Sequence, residues 1–138
     1  MATISNLSLT IEGFDDTRVT ATVRYRLTPS VIEKLAGTVF SDSIQLVGDD
    51  PGVSSDIVIT TFPPDAFAVS NSTPTVDRTR TRRVYKSAMN EDPQYETTGG
   101  EVIDETFARI TLTYAAGAPI PPTLPSPEIT NIVRGVWK

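Results

Sequence analysis

Cysteine and histidine are both absent from the 138 residues, and tryptophan occurs once. Without cysteine there are no disulfides or thiolate nucleophiles; without histidine the usual general base is missing, and ordinary zinc and haem sites go with the pair. No apolar run approaches the roughly 18–20 residues that cross a bilayer. The start, Met1 to Thr10, has no positive stretch, and Thr, Ser and Asn interrupt its apolar residues. Neither a membrane span nor a secretory signal is expected, which points to a cytoplasmic or virion location. Catalytic motifs are missing as well: there is no Gly-rich phosphate loop and no Gly-x-Ser-x-Gly elbow. A carboxylate pair can run glycoside hydrolysis, but seventeen scattered acids always offer pairs. The expectation is a protein that is not an enzyme, with no cofactor and no evident small-molecule substrate.

What is present describes one β domain spanning 1–138, a length that buries a real core but does not divide into two domains of typical size. The net charge of −5 favours solubility and argues against a generally basic nucleic-acid binder. Between Arg18 and Leu27, Val19, Ala21, Val23, Tyr25 and Leu27 alternate with Thr20, Thr22, Arg24 and Arg26. That is a strand with one buried and one wet face. Leu7, Leu9 and Ile11 alternate likewise, with Ile4 out of step, as a bulge or a late strand start allows. The residues between, 13–17, suit a short connection, so the chain opens on an antiparallel hairpin.

Residues 28–37 break the alternation. Ser30 and Glu33 fit a capping box and Gly37 fits a left-handed helix end, which predicts a connecting helix of under two turns. Strand signals resume over 39–47, where Phe40, Ile44 and Leu46 share a face that Asp42 interrupts. They continue over 56–62, 67–70, 75–85 and 101–114, with a strong turn at 48–52. Seven or eight short strands of this kind, with twenty threonines, predict an all-β antiparallel sandwich, immunoglobulin-like or jelly-roll-like. A small β-barrel is the alternative.

Five of the twelve basic residues, Arg78, Arg80, Arg82, Arg83 and Lys86, fall within nine positions of an acidic chain. On a strand Arg78, Arg80 and Arg82 share one face, and three aligned guanidinium groups repel unless negative charge lies opposite. Three readings are open: ion pairs with a neighbouring strand of the same chain, a contact with another subunit, or a site for nucleic acid or another polyanion. The acidic loop 87–100 follows, long enough to serve a purpose or simply to cover surface. Asp49, Asp50 and Asp56, and Glu101, Asp104 and Glu105, are acids that could hold calcium, though no EF-hand pattern is present.

Five prolines in nine positions mark 119–127, within a Pro-rich segment over 115–127 that is expected to be stiff and extended. The strand 128–137 after it carries Ile129, Ile132, Val133, Val136 and Trp137 on both faces and calls for burial. It either completes its own sandwich or is carried onto an adjacent copy. These features favour a structural subunit of a repeating assembly, such as a virion capsid or tail component. Its copies would meet through the basic strand and the terminal strand, with Trp137 in the contact. The alternative is a binding module for an anionic ligand such as RNA or a polyanionic glycan, through the same arginines.

Overall fold

The computed structural model describes residues 2–49, 57–90, 104–119, 124–135 and 137. Nine strands and two short helices are found among them: β1 (Thr3–Gly13), β2 (Arg18–Thr28), α1 (Val31–Ala36), β3 (Val39–Asp49), β4 (Ile57–Thr61), β5 (Asp65–Ala68), β6 (Val76–Tyr85), α2 (Lys86–Met89), β7 (Asp104–Ala116), β8 (Glu128–Ile129) and β9 (Val133–Gly135). One sheet has the order β1-β2-β6. The other runs β4-β3-β7-β8, with β5 also pairing β3 and β9 also pairing β7. Every pairing is antiparallel. The fold is the all-β sandwich expected from the alternation.

The period-two pattern of β2 decides which face turns inward. Val19, Ala21, Val23, Tyr25 and Leu27 are all buried, against Phe40, Ile44 and Leu46 of β3 and Ala108, Ile110 and Leu112 of β7. Removing each large aliphatic side chain from water contributes about 1.5–3 kcal/mol. In β1 the register with β2 shifts between Ser5 and Ser8, and Asn6 has φ 53°. Asn tolerates that left-handed conformation. The bulge lets Ile4 and Leu9, which differ in parity, both pack inward.

Helix α1 ends as its sequence predicts. Ser30 and Glu33 make both reciprocal capping bonds, and Gly37 adopts φ 61°. The Glu33 side chain is nevertheless fully buried, accepting hydrogen bonds from Ser30 N–H at 2.7 Å and from the Tyr114 hydroxyl at 2.8 Å. Holding Glu33 inward turns Val31, Ile32 and Leu35 out, leaving them 65%, 64% and 67% exposed. The usual helix polarity is inverted.

Several boundaries differ from expectation. The strand foreseen over 67–70 is β5, Asp65–Ala68, placed by pairing with β3. The Pro-rich segment begins later than 115 because β7 continues through Ala116. The terminal strand 128–137 is interrupted: Glu128–Ile129 and Val133–Gly135 each pair with β7, and the residues between them reach sideways. One turn of helix, α2, was hidden in the stretch read as loop. The acids Asp50, Asp56 and Glu101, most of the acidic loop and the middle of the proline segment lie outside the described residues.

Candidate functional site

Strand β6 is the outer strand of its sheet, and its parity settles where the arginines go. Val76, Arg78, Arg80, Arg82 and Val84 stand beside the buried Leu27, Tyr25, Val23, Ala21 and Val19 of β2. The arginine face is therefore the inner one. Arg80 hydrogen-bonds Asp42 and the Pro63 carbonyl, and Arg78 pairs with Asp65 and lies 3.7 Å from Asp42. The Asp42 side chain is fully buried, and the Tyr25 hydroxyl donates to its second oxygen at 2.6 Å. Burial first, then this bond to a carboxylate, push the Tyr25 phenol far above its ordinary range. Hydrogen bonding to Arg78 holds Asp65 below the usual carboxylate value. The Arg78 guanidinium also stacks over the Phe67 ring at 4.3 Å.

The intramolecular reading thus describes Arg78 and Arg80. Inward-pointing charge on an outer strand also blocks pairing of that strand with another chain. Arg82 makes no ion pair among the described residues; with Thr20, Thr81 and Arg83 it lines a pocket of about 270 Å³. Arg83 points to the other face, its guanidinium 3.9 Å from the centre of the Phe14 ring, which Arg18 approaches from 5.0 Å.

The remaining predicted residues, Lys86 and Trp137, come together at one end of the sandwich. There the β1–β2 turn, α2 and Trp137 border an open pocket of about 430 Å³, with Asp16, Thr17, Tyr85, Lys86, Asn90 and Trp137 in its walls. Asp15 locks the turn, accepting from the Thr17 and Arg18 amides at 2.9 and 2.7 Å and pairing with the Arg18 side chain at 2.7 Å. That network, the Arg18 bond foremost, lowers the Asp15 carboxyl to about 2. The Lys86 amide donates to the Thr17 carbonyl at 2.8 Å, and buried Met89 anchors α2 in the core. The indole of Trp137 lies over Gly135, so close that a Cβ there would stand 2.5 Å from the ring.

Sequence reading missed Asp16, Thr17, Tyr85 and Asn90 as a group, since only the chain's folding brings 16–17, 85–90 and 137 together. Among the acids considered for calcium, Asp104 is buried and Glu105 pairs with Arg134 at 3.1 Å. Among the described residues no group of three acidic side chains could hold a metal ion, and no helix is long and apolar enough to cross a membrane.

No protein-family model matches the chain, and no curated protein does. Among solved structures, a protein from Archaeoglobus fulgidus superposes with a TM-score of 0.56 at 11% identity, covering 99% of this chain and 98% of that one. β-Glucosidases from Kluyveromyces marxianus and Thermotoga neapolitana (3B) superpose at TM-scores of 0.40 and 0.37, each at 10% identity. The match covers 96% and 99% of this chain but only 14% and 17% of theirs. The likeness to the Archaeoglobus protein is one of fold.

Proposed function

We propose that the protein is a non-enzymatic structural subunit of a repeating assembly, such as a virion capsid or tail component, held together by contacts between its own copies. One observation carries this reading: exposed aliphatic groups occupy both ends of β3. At its start stands α1 with Val31, Ile32 and Leu35 turned outward; at its far end Ile57 and Val58 of β4, half exposed, pair with Gly48 and Val47. From Val39 to Val47 the strand extends about 26 Å at roughly 3.3 Å per residue. Two different apolar surfaces at opposite ends of each copy suit head-to-tail contact, which closes into rings or propagates as filaments. With Arg78 and Arg80 engaged internally and β8 and β9 paired to β7, these aliphatic ends take the role first sought in the basic and terminal strands.

Light scattering with negative-stain microscopy tests the reading. Rings, filaments or particles are expected from the full chain. Val31→Ser with Leu35→Ser, or Ile57→Ser with Val58→Ser, should each return it to single folded chains. A wild-type protein that stays monomeric at high concentration overturns the proposal.

A second reading, a module for an anionic ligand such as RNA or a polyanionic glycan, draws support from Arg82. Arg82 makes no ion pair among the described residues, and it borders a pocket together with a second arginine, Arg83. Binding of that kind would weaken steeply with added salt and be lost in Arg82→Ala.

A further inference from the structure

We propose, resting on the anionic-ligand reading and not on self-association, that the outer face of the β1–β2–β6 sheet binds single-stranded nucleic acid. Its phosphates sit on Arg24, Arg82 and Arg83, and a base stacks on Tyr85. Seventeen acids against twelve bases offer a carboxylate for every arginine. Arg18 and Arg26 take one each, yet Arg24, Arg82 and Arg83 make no ion pair among the described residues. Arg24 and Arg83 are exposed on β2 and β6, on the side turned away from the core. Arg82 belongs to the inner side but meets them at the outer strand β6, bordering a pocket of about 270 Å³ with Thr20, Thr81 and Arg83. Arg24 borders a second pocket, of about 310 Å³, with Arg26, Ser8 and Thr79. Thr79 and Thr81 stand two residues apart on one strand, so the pockets are neighbours at about 7 Å.

Charge and shape select the ligand. A guanidinium fork matches a phosphate bidentately, and hydroxyls between the arginines add donors to phosphate oxygens. Thr10, Thr22 and Thr81 stand in register across all three strands. From Arg26 to Thr20 the track runs about 20 Å at roughly 3.4 Å per residue, more than a lone phosphate needs and suited to a chain of them. Of the acids on this face, Asp77 is engaged by Arg26, and Glu12 lies two strands and about 10 Å from Arg83. Reading a duplex takes an element that enters a groove; this surface is made of strands lying flat, which suits a single strand. Tyr85, 61% exposed and paired with Arg18 at the end of the track, offers a ring on which a base stacks. That ring favours nucleic acid over a sulfated glycan.

Fluorescence anisotropy of a short labelled oligo(dT), titrated with the full-length protein over a series of salt concentrations, tests the proposal. Saturable binding is expected at low salt, the logarithm of its constant falling linearly with the logarithm of salt by about 0.7 per phosphate held. Arg24→Ala and Arg83→Ala should each flatten that slope by about 0.7. Arg134→Ala, on the opposite sheet, makes the same change in net charge and should leave the slope as it was. Tyr85→Ala should weaken binding about tenfold with the slope unchanged, the worth of one stacked base. All four positions are exposed, and circular dichroism checks that each variant keeps the native fold. Heparin is titrated in parallel. Binding of heparin without oligo(dT), or full affinity for oligo(dT) in Tyr85→Ala, overturns the nucleic-acid proposal and leaves the anionic-ligand reading standing. A slope unmoved by both arginine variants overturns the placement on this face. Binding of neither polyanion at low salt overturns the proposal and that reading together.

Discussion

The side-chain amide of Asn131 makes both hydrogen bonds to Leu9 that a neighbouring strand would make. Its Oδ1 accepts from the Leu9 N–H at 2.8 Å, and its Nδ2 donates to the Leu9 carbonyl at 3.1 Å. Leu9 lies on β1, an outer strand, so one side chain from the opposite sheet covers that edge at its centre. Thr130 assists from the other side: its Oγ1 accepts from Ala108 N–H at 2.9 Å, and its own N–H donates to the Ala108 carbonyl at 2.9 Å. The sandwich is laced at this edge by Asn131 and at the other by Arg80 reaching the Pro63 carbonyl.

Asn131→Ala removes both bonds and leaves the Leu9 peptide to water. A loss of about 1 kcal/mol in unfolding free energy is expected, since the net worth of such bonds is modest where solvent can replace them. Denaturant titration measures it. Hydrogen exchange should show faster loss of the Leu9 amide with little change at Val23.

Asp42 is the shared carboxylate of Tyr25, Arg78 and Arg80. Asp42→Ala leaves the partly buried Arg80 without its carboxylate, while Arg78 keeps Asp65, and should destabilise the fold by about 3–5 kcal/mol. The double variant with Arg80→Met should recover part of that loss, because the stranded charge is removed with its partner. Urea unfolding of the two singles and the double measures the coupling.

Acid should weaken the β1–β2 turn in a defined window. The folded Asp15 carboxyl titrates at about 2, below its ordinary 3.8. A depressed folded value means that its stabilising effect is complete above the ordinary value and is lost as pH falls through about 2. Asp65 and Asp77, lowered by hydrogen bonds to Arg78 and Arg26, act in the same sense. Carbon NMR of the Asp15 carboxyl should show the low midpoint, and Asp15→Asn should destabilise the protein at neutral pH but not at the acid end.

Gly37 holds the left-handed end of α1 at φ 61° with open space around it. Gly37→Ala should cost about 1 kcal/mol through backbone strain alone, whereas Gly37→Asn should cost less. Thermal unfolding of the two variants tests the difference.

Much of the fold was legible before folding because it is written in local periodicity. The alternation along 18–27, the out-of-step Ile4 and the Ser30, Glu33 and Gly37 signals each act over a few residues, and each reappears in the structure. The arginine strand was legible only as a strand. Its centre is polar on both faces, and only Val76 and Val84 near its ends mark the inner one. The other signal lay in Asp42 on the otherwise apolar face of β3, since a carboxylate among Phe40, Ile44 and Leu46 requires a cation across the core.

The sequence by itself determined the strands, the capped connector and the sandwich class, because backbone sterics and apolar spacing act locally. Only the tertiary structure decided that Arg78 and Arg80 face Asp42, that Asn131 closes β1, and that Tyr85, Asn90 and Trp137 meet at one pocket. Apart from Tyr85 and Asn90, those partners are separated along the chain by tens of residues. Which buried polar groups find each other depends on how the two sheets are laid together, and no local pattern records that.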